Sequence, residues 1–156
     1  MSVKKTTIMI ILVLSFLTVL AGCSVQPGNV SDTEETTGVS YDIDIGFTVL
    51  KFPTVWKDSV RVSQEFDGTI GTVDFYGTAG DHPEQHLFTL FFNQDGEIPI
   101  GTLTYNGQNV IISAEMNELE FDESWSLEET DTLCAMQEAI NFIVEYLEQN
   151  PDFTAD

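Results

Sequence analysis

The sequence predicts an α+β domain: an antiparallel meander sheet of about five to six strands with one long C-terminal helix packed on it. Three observations predict this. From Tyr41 onward apolar and polar residues alternate with a period of two, as half-buried strands do. Asp67-Gly68, Asp95-Gly96 and Asn106-Gly107 punctuate the apolar runs, and such pairs mark hairpins because both turn residues need positive φ. After residue 126 the apolar spacing changes to three and four, the period of a helix lying on a surface.

The elements follow in order. Residues 47–52 read as a first strand, ended by Pro53, which opens a short turn or helix through Trp56. Val60 and Val62 alternate with Arg61 and Ser63 on the next strand. Past Asp67-Gly68, residues 69–76 put Val73 and Phe75 on one face. Ile70 falls on the other parity, and Gly71 between them suggests a bulge. Residues 87–92 are almost continuously apolar, as expected of a central strand covered on both faces. Asp95-Gly96 turns the chain into strand 98–105, and Asn106-Gly107 turns it again into strand 108–114.

Ser126 followed by Glu129 predicts a capping box at the helix start. Asn150-Pro151 predicts its end, because the residue before proline disfavours α geometry. Leu133, Met136, Ile140, Ile143, Val144 and Leu147 form the stripe expected on the sheet. A second stripe, Ala135, Ala139, Phe142 and Tyr146, is expected to pack under a loop or under the segment around Trp56; the alternative makes it the candidate docking surface for a partner or a second copy. Gln137, Glu138, Asn141, Glu145 and Glu148 are expected in solvent.

The N-terminus carries an address. Lys4 and Lys5 precede an apolar run over 8–20 that ends in Leu20-Ala21-Gly22-Cys23. The run is too short to span a bilayer, which takes about 20 residues, and suits a signal-peptide core. The four residues resemble the lipobox of bacterial lipoprotein precursors, in which the cysteine is lipidated and becomes the mature N-terminus. The resemblance implies a signal peptide over 1–22, lipidation of Cys23 and a membrane-anchored, extracytoplasmic protein whose contact with the bilayer is that lipid. Residues 23–40 read as a flexible tether, polar and broken by Gly and Pro. Fully extended, the stretch 24–40 reaches about 56 Å at ~3.3 Å per residue. The single domain then occupies 41–156.

The order strand, Pro-x-x-Trp turn, hairpins and C-terminal helix, with Phe52-Pro53-Thr54-Val55-Trp56 and Val73-Asp74-Phe75, loosely resembles the PsbP-like α/β/α domains. In those domains an antiparallel sheet is sandwiched by helices. The overall pattern also resembles small uncharacterised lipoproteins of Gram-positive gut bacteria. Neither resemblance carries a site.

All 26 acidic residues follow Cys23, against three basic ones: Lys51, Lys57 and Arg61. Cleavage would leave the mature chain two charges more negative than the −21 of the whole sequence. No basic surface is left to displace counterions from nucleic acid phosphates, so no nucleic acid partner is expected. The acidity suits solubility outside the cell. With Cys23 assigned to lipid, no intramolecular disulfide is expected, and Cys134 reads as an inert helix residue.

Asp81-His82-Pro83-Glu84-Gln85-His86 holds the two histidines, weak metal candidates four residues apart. Paired imidazoles at that spacing converge on one ion when they sit on a helix, but Pro83 and the strand that follows predict a loop. Tyr41-Asp42-Ile43-Asp44 and the acidic stretch 118–128 lack the calcium-loop pattern, so no metal and no cofactor are assigned. No Gly-x-Ser-x-Gly elbow, phosphate-cradling glycine loop or Ser-Lys pair is present. A binding role is therefore preferred over an enzymatic one. Phe47, Phe52, Trp56, Phe75, Tyr76, Tyr105 and Trp125 could form a glycan platform, but most alternate as core residues do. Tyr76, Tyr105 and Trp125 are the surface candidates.

The reading is a membrane-anchored binding or assembly module, meeting an envelope protein or forming a homodimer through the second helix stripe or an uncovered sheet face. The alternatives are a self-associating structural lipoprotein and a small metal-dependent enzyme built on His82 and His86.

Overall fold

Two-residue alternation sorts the strands into a dry face and a wet one, and the dry face organises the molecule. The computed structural model describes Ser40–Asp156; the signal, lipobox and most of the tether lie outside those residues. In chain order come β1 (Ser40–Asp44), β2 (Val49–Pro53), a 3₁₀ turn (Thr54–Trp56), β3 (Val60–Asp67), β4 (Ile70–Gly77), β5 (Gln85–Phe92), β6 (Ile98–Tyr105) and β7 (Gln108–Met116). Helices α1 (Leu127–Glu138) and α2 (Ile140–Glu148) follow, then a short β8 (Phe153–Ala155). β1 and β2 pair as a separate hairpin, and the other six form one antiparallel sheet in the order β3-β4-β5-β7-β6-β8. The expected α+β class, with an antiparallel sheet and a C-terminal helical segment on it, is what the chain adopts.

The sheet's dry face carries Val73, Phe75, Phe88, Leu90, Phe92, Val110, Ile112 and Ala114, all fully shielded. The β1–β2 hairpin and the helical segment cover it. Phe52 from β2 meets Phe75 at 5.3 Å, and Phe75 stacks on Phe88 at 4.4 Å. Each such aromatic pair contributes roughly 0.5–1.5 kcal/mol beyond the area it buries. Phe47, in the hairpin turn, reaches Phe66, Phe92 and Tyr105 at 5.5–5.8 Å. Leu133 and Met136 of α1 and Ile140, Ile143 and Leu147 of α2 complete the core.

Asn106-Gly107 behaves as expected: both residues have positive φ (50° and 75°) between the paired Tyr105 and Gln108. Asp95-Gly96 does not make a hairpin. β6 lies on the far side of β7 from β5, so residues 93–97 must cross β7. Gly96 serves that crossing by its lack of a side chain, since a Cβ there would sit 2.7 Å from Ser113 Oγ and 2.9 Å from the Ala114 carbonyl. The displaced strand leaves room for β8, which the sequence pattern did not announce. β1 likewise pairs where only a first strand at 47–52 was expected.

The bulge falls at Phe75/Tyr76, not at Gly71. There Phe75 pairs with Phe88 and Tyr76 with His86, leaving Leu87 as the extra residue. Both Leu87 and Phe88 are fully buried, so the bulge inverts the parity of the residues before them.

The helical segment starts with the expected capping box: Ser126 Oγ accepts from the Glu129 amide, and the Glu129 carboxylate takes the Ser126 amide. A jog at Ala139, whose N–H bonds back to Met136 O, separates α1 from α2. Gln137, expected in solvent, is buried. Its Nε2 donates to Leu87 O (2.8 Å) and Asn117 O (2.7 Å). The physical reason is that the Asn117 carbonyl, just past the end of β7, takes its donor from Gln137, and a buried carbonyl left unanswered costs more than burying an amide that answers it. Cys134 is also corrected, being disulfide-bonded.

Candidate functional site

The bulge decides where the second histidine goes. His86 has the parity of Phe88 and Leu90, and in an unbulged ladder it would enter the core. With it, His86 turns to the wet face and stacks on Tyr76 at 4.5 Å. Its Nε2 lies 3.0 Å from Thr89 Oγ1 and 3.3 Å from Asp74 Oδ1, while Thr89 donates to Asp74 at 2.7 Å. On the outer side of Tyr76, Arg61 lies 4.1 Å over the ring and holds Glu84 through Nε (2.9 Å) and Nη2 (2.6 Å). The guanidinium beside Glu84 keeps that carboxyl below the ordinary carboxylate range. Asp74 and Thr89 meet the same imidazole nitrogen, so this is no nucleophile relay, which needs one partner on each nitrogen.

His82 goes elsewhere. It stacks on Trp125 with ring centres 3.8 Å apart and planes at 14°, and its Nε2 lies 3.4 Å from Glu129 Oε2. Trp125 is presented by a tight turn in which the Ser124 amide and hydroxyl both bond Asp122 Oδ1, at 2.8 and 2.5 Å. Those Ser124 donors, with a smaller contribution from His82, hold the Asp122 carboxyl below its usual range. Glu129 is held low by the Ser126 amide first, then by the Ser126 hydroxyl and His82. Phe121 stands perpendicular to Trp125 at 5.2 Å.

Between these two groups runs an open cleft of about 670 Å³, bounded by 82–86 on one side and 117–125 on the other. Gln85 sets its width. Its side-chain amide donates to Glu120 O (2.6 Å) and accepts from Glu120 N (2.7 Å), pinning the 117–125 segment to the start of β5. At the base, Asn117 N bonds Leu87 O. The Asn117 Nδ2, shut off from solvent, has no hydrogen-bond partner among the described residues.

The histidines line one cleft but are committed to different partners, and no group of three or more metal-ligating side chains among the described residues could hold an ion. The acidic stretches fare no better as calcium sites. Asp42 pairs with Lys51, and Asp44 caps the Gly46 amide at 2.8 Å.

The second helix stripe is divided. Ala139 is buried, Phe142 half-buried, and Ala135 and Tyr146 are exposed, with Lys51 Nζ 5.5 Å above the Tyr146 ring. With Ala139 buried and Phe142 half-buried between the exposed Ala135 and Tyr146, the four residues do not form one exposed face. Of the surface aromatics, Tyr76 and Trp125 flank or line the cleft, whereas Tyr105 packs against Phe47. Reading the sequence identified His82, His86 and Trp125 but passed over Gln85 and Gln137, the side-chain amides that tie the 117–125 segment to β5 and α1. Nothing in residue type or spacing distinguishes such amides from ordinary surface ones. No helix among the described residues is long and apolar enough to cross a membrane.

Comparison with protein-family models, with curated proteins and with solved structures finds no match for this chain.

Proposed function

We propose that this protein is a lipid-anchored, extracytoplasmic binding module whose recognition site is the cleft between residues 82–86 and 117–125. The observation that carries the binding half is the cleft itself. Two aromatic and two imidazole side chains from separate segments are held at its walls by Gln85, the Asx turn at Asp122 and the capping box. Rigid walls with a few oriented polar groups are how small-ligand sites are built. The anchoring half rests on the sequence Leu20-Ala21-Gly22-Cys23.

Two experiments test the halves separately. Cys23→Ser should abolish lipid labelling and release the protein from membranes; unchanged membrane retention would end the lipoprotein reading. Cys134 is disulfide-bonded and Cys23 is the chain's only other cysteine. One sulfur cannot carry both a thioether-linked lipid and a disulfide, so the mass of the N-terminal peptide before and after reduction decides which fate Cys23 has. For binding, thermal unfolding across cationic, neutral and anionic small molecules should show a stabilising shift. A ligand at 100 times its dissociation constant adds about 2.7 kcal/mol. A shift that survives Trp125→Ala would place recognition outside the cleft.

A further inference from the structure

Independently of the cleft, we infer that the outer edge of β3 is an interface between copies of this chain, two β3 strands pairing antiparallel about a two-fold centred on Gln64. β3 ends the six-stranded sheet and pairs only with β4. The register shows which of its backbone groups stay open. Asp67 and Ile70 close the β3–β4 turn, and past the other end Thr78 N bonds Ser59 O at 2.9 Å. Hydrogen-bonded pairs alternate along an antiparallel ladder, so the odd-numbered residues of β3 direct their backbone groups to β4. The N–H and C=O of Val62, Gln64 and Phe66 then point outward, and none has a partner among the described residues. An eight-residue edge without proline or bulge is a template for another strand. The opposite edge is closed, since β8 pairs with β6, and Thr104 N and Asp156 N bond Asp152 O and Ile100 O on either side.

The sequence of the edge itself selects a second copy over a foreign strand. Residues 61–67 read Arg-Val-Ser-Gln-Glu-Phe-Asp. Paired with its own reverse about Gln64, this run sets Arg61 against Asp67, Val62 against Phe66 and Ser63 against Glu65. A two-fold interface requires such self-complementarity, because residue i meets j wherever j meets i. Arg61 and Asp67 are exposed on the wet face, while Val62 and Phe66 are half-buried on the dry one. Opposite charges thus meet on one face and apolar groups on the other, both stabilising as cross-strand neighbours. Charges on a strand edge ordinarily repel an incoming strand; the reversed order of the second copy turns these to attraction. Arg61 holds Glu84 through Nε and Nη2, and its five N–H donors let it take a second carboxylate. The Asp67 carboxylate has no hydrogen bond or ion pair among the described residues. Other registers fit less well. Centring on Ser63 sets Val62 against Gln64, and centring on Val62 carries Phe66 past the end of the partner strand. On the dry side an open groove of about 390 Å³, lined by Tyr41, Ile43, Val60 and Val62 among others, leaves room for Phe66 of the second copy.

The test is sedimentation equilibrium of the full chain in an excess of density-matched non-ionic micelles, with amide exchange read residue by residue on the same samples. Dimer should form as protein concentration rises, and the amides of Val62, Gln64 and Phe66 should slow with it. Gln64→Pro removes the outward N–H without touching the β3–β4 ladder. It should weaken self-association roughly tenfold or more, since both hydrogen bonds at the two-fold are lost together. Gln64→Ala loses the same side-chain bond to Asp44 O (3.2 Å) but keeps the N–H, and should associate as the wild type does. Asp67→Arg leaves Gln64 in place and sets two arginines against each other on both sides of the two-fold. It should weaken association about fivefold; unchanged association in this variant overturns the pairing about Gln64. A chain that stays monomeric at its highest soluble concentration overturns the interface outright. So does a dimer in which Gln64→Pro and Gln64→Ala behave alike, or one in which Val62, Gln64 and Phe66 exchange freely while other amides slow.

Discussion

The two faces of the six-stranded sheet do different work, and the contrast teaches where this protein keeps its stability and where its chemistry. On the dry face, Phe52, Phe75 and Phe88 form a continuous aromatic column within the hydrophobic core. On the wet face, the corresponding row holds Arg61, Tyr76 and His86, with Asp74 and Thr89 in the next row. A one-residue bulge at Leu87 connects the two. It sends Leu87 into the core beside Met136 and Leu133 and turns His86 out to the cleft. Stability is therefore expected to respond steeply to changes on the first face and mildly to changes on the second.

The largest effect should come from the aromatic column. Phe75→Ala leaves a cavity between Phe52 and Phe88 and should cost about 3–5 kcal/mol, read as a lowered urea midpoint. A loss below 1 kcal/mol would show that the column does not carry the fold. Next comes the amide that bridges the faces. Gln137→Leu keeps the volume but leaves the Asn117 carbonyl without its donor, at a cost of roughly 1–3 kcal/mol. It should also raise hydrogen exchange at the 117–125 segment, since that wall of the cleft loses its tie to α1. Ser126→Ala removes one half of the capping box and should cost about 1 kcal/mol, with Trp125 emission shifting because Glu129 no longer sits fixed beside His82.

The wet face should respond least. Arg61→Ala breaks an exposed pair with Glu84 and should leave the melting temperature nearly unchanged, because surface ion pairs contribute little; a large drop would put structural weight on that face. The pH dependence of Glu129 is small and has a definite sign. Its folded carboxyl titrates below the unfolded one because the Ser126 amide and hydroxyl bond the ionised form. The stabilisation is thus complete above the unfolded value of about 4.5 and is lost as pH falls through the folded value. Melting curves of wild type and Glu129→Gln should converge on the acid side of that window, and curves that stay parallel would remove Glu129 from the acid response.

Much of this was legible because it depends on neighbours in the chain. The capping box, the Asn106-Gly107 turn, the Pro53–Trp56 turn and the buried stripe from Leu133 to Leu147 all rest on contacts within a few residues, where side-chain type and spacing decide the geometry. Asp95-Gly96 misled for an instructive reason. A glycine that permits positive φ and one that permits close approach look the same in sequence, and only the crossing over Ser113 shows which role Gly96 has.

The sequence by itself determined the α+β class, the shared inward face of Val73 and Phe75, the start of the helical segment, the acidity, and a lipobox-like Cys23. Tertiary structure alone decided that β7 would enter between β5 and β6, that Gln137 would leave solvent to serve two carbonyls, and that His86 would face out rather than in. These outcomes depend on which strand lies beside which, and on where one extra residue is inserted into a ladder. A shift of one residue in a pleated strand exchanges its two faces, so the wall of the cleft was set by Leu87, a residue whose own character says only that it belongs in the core.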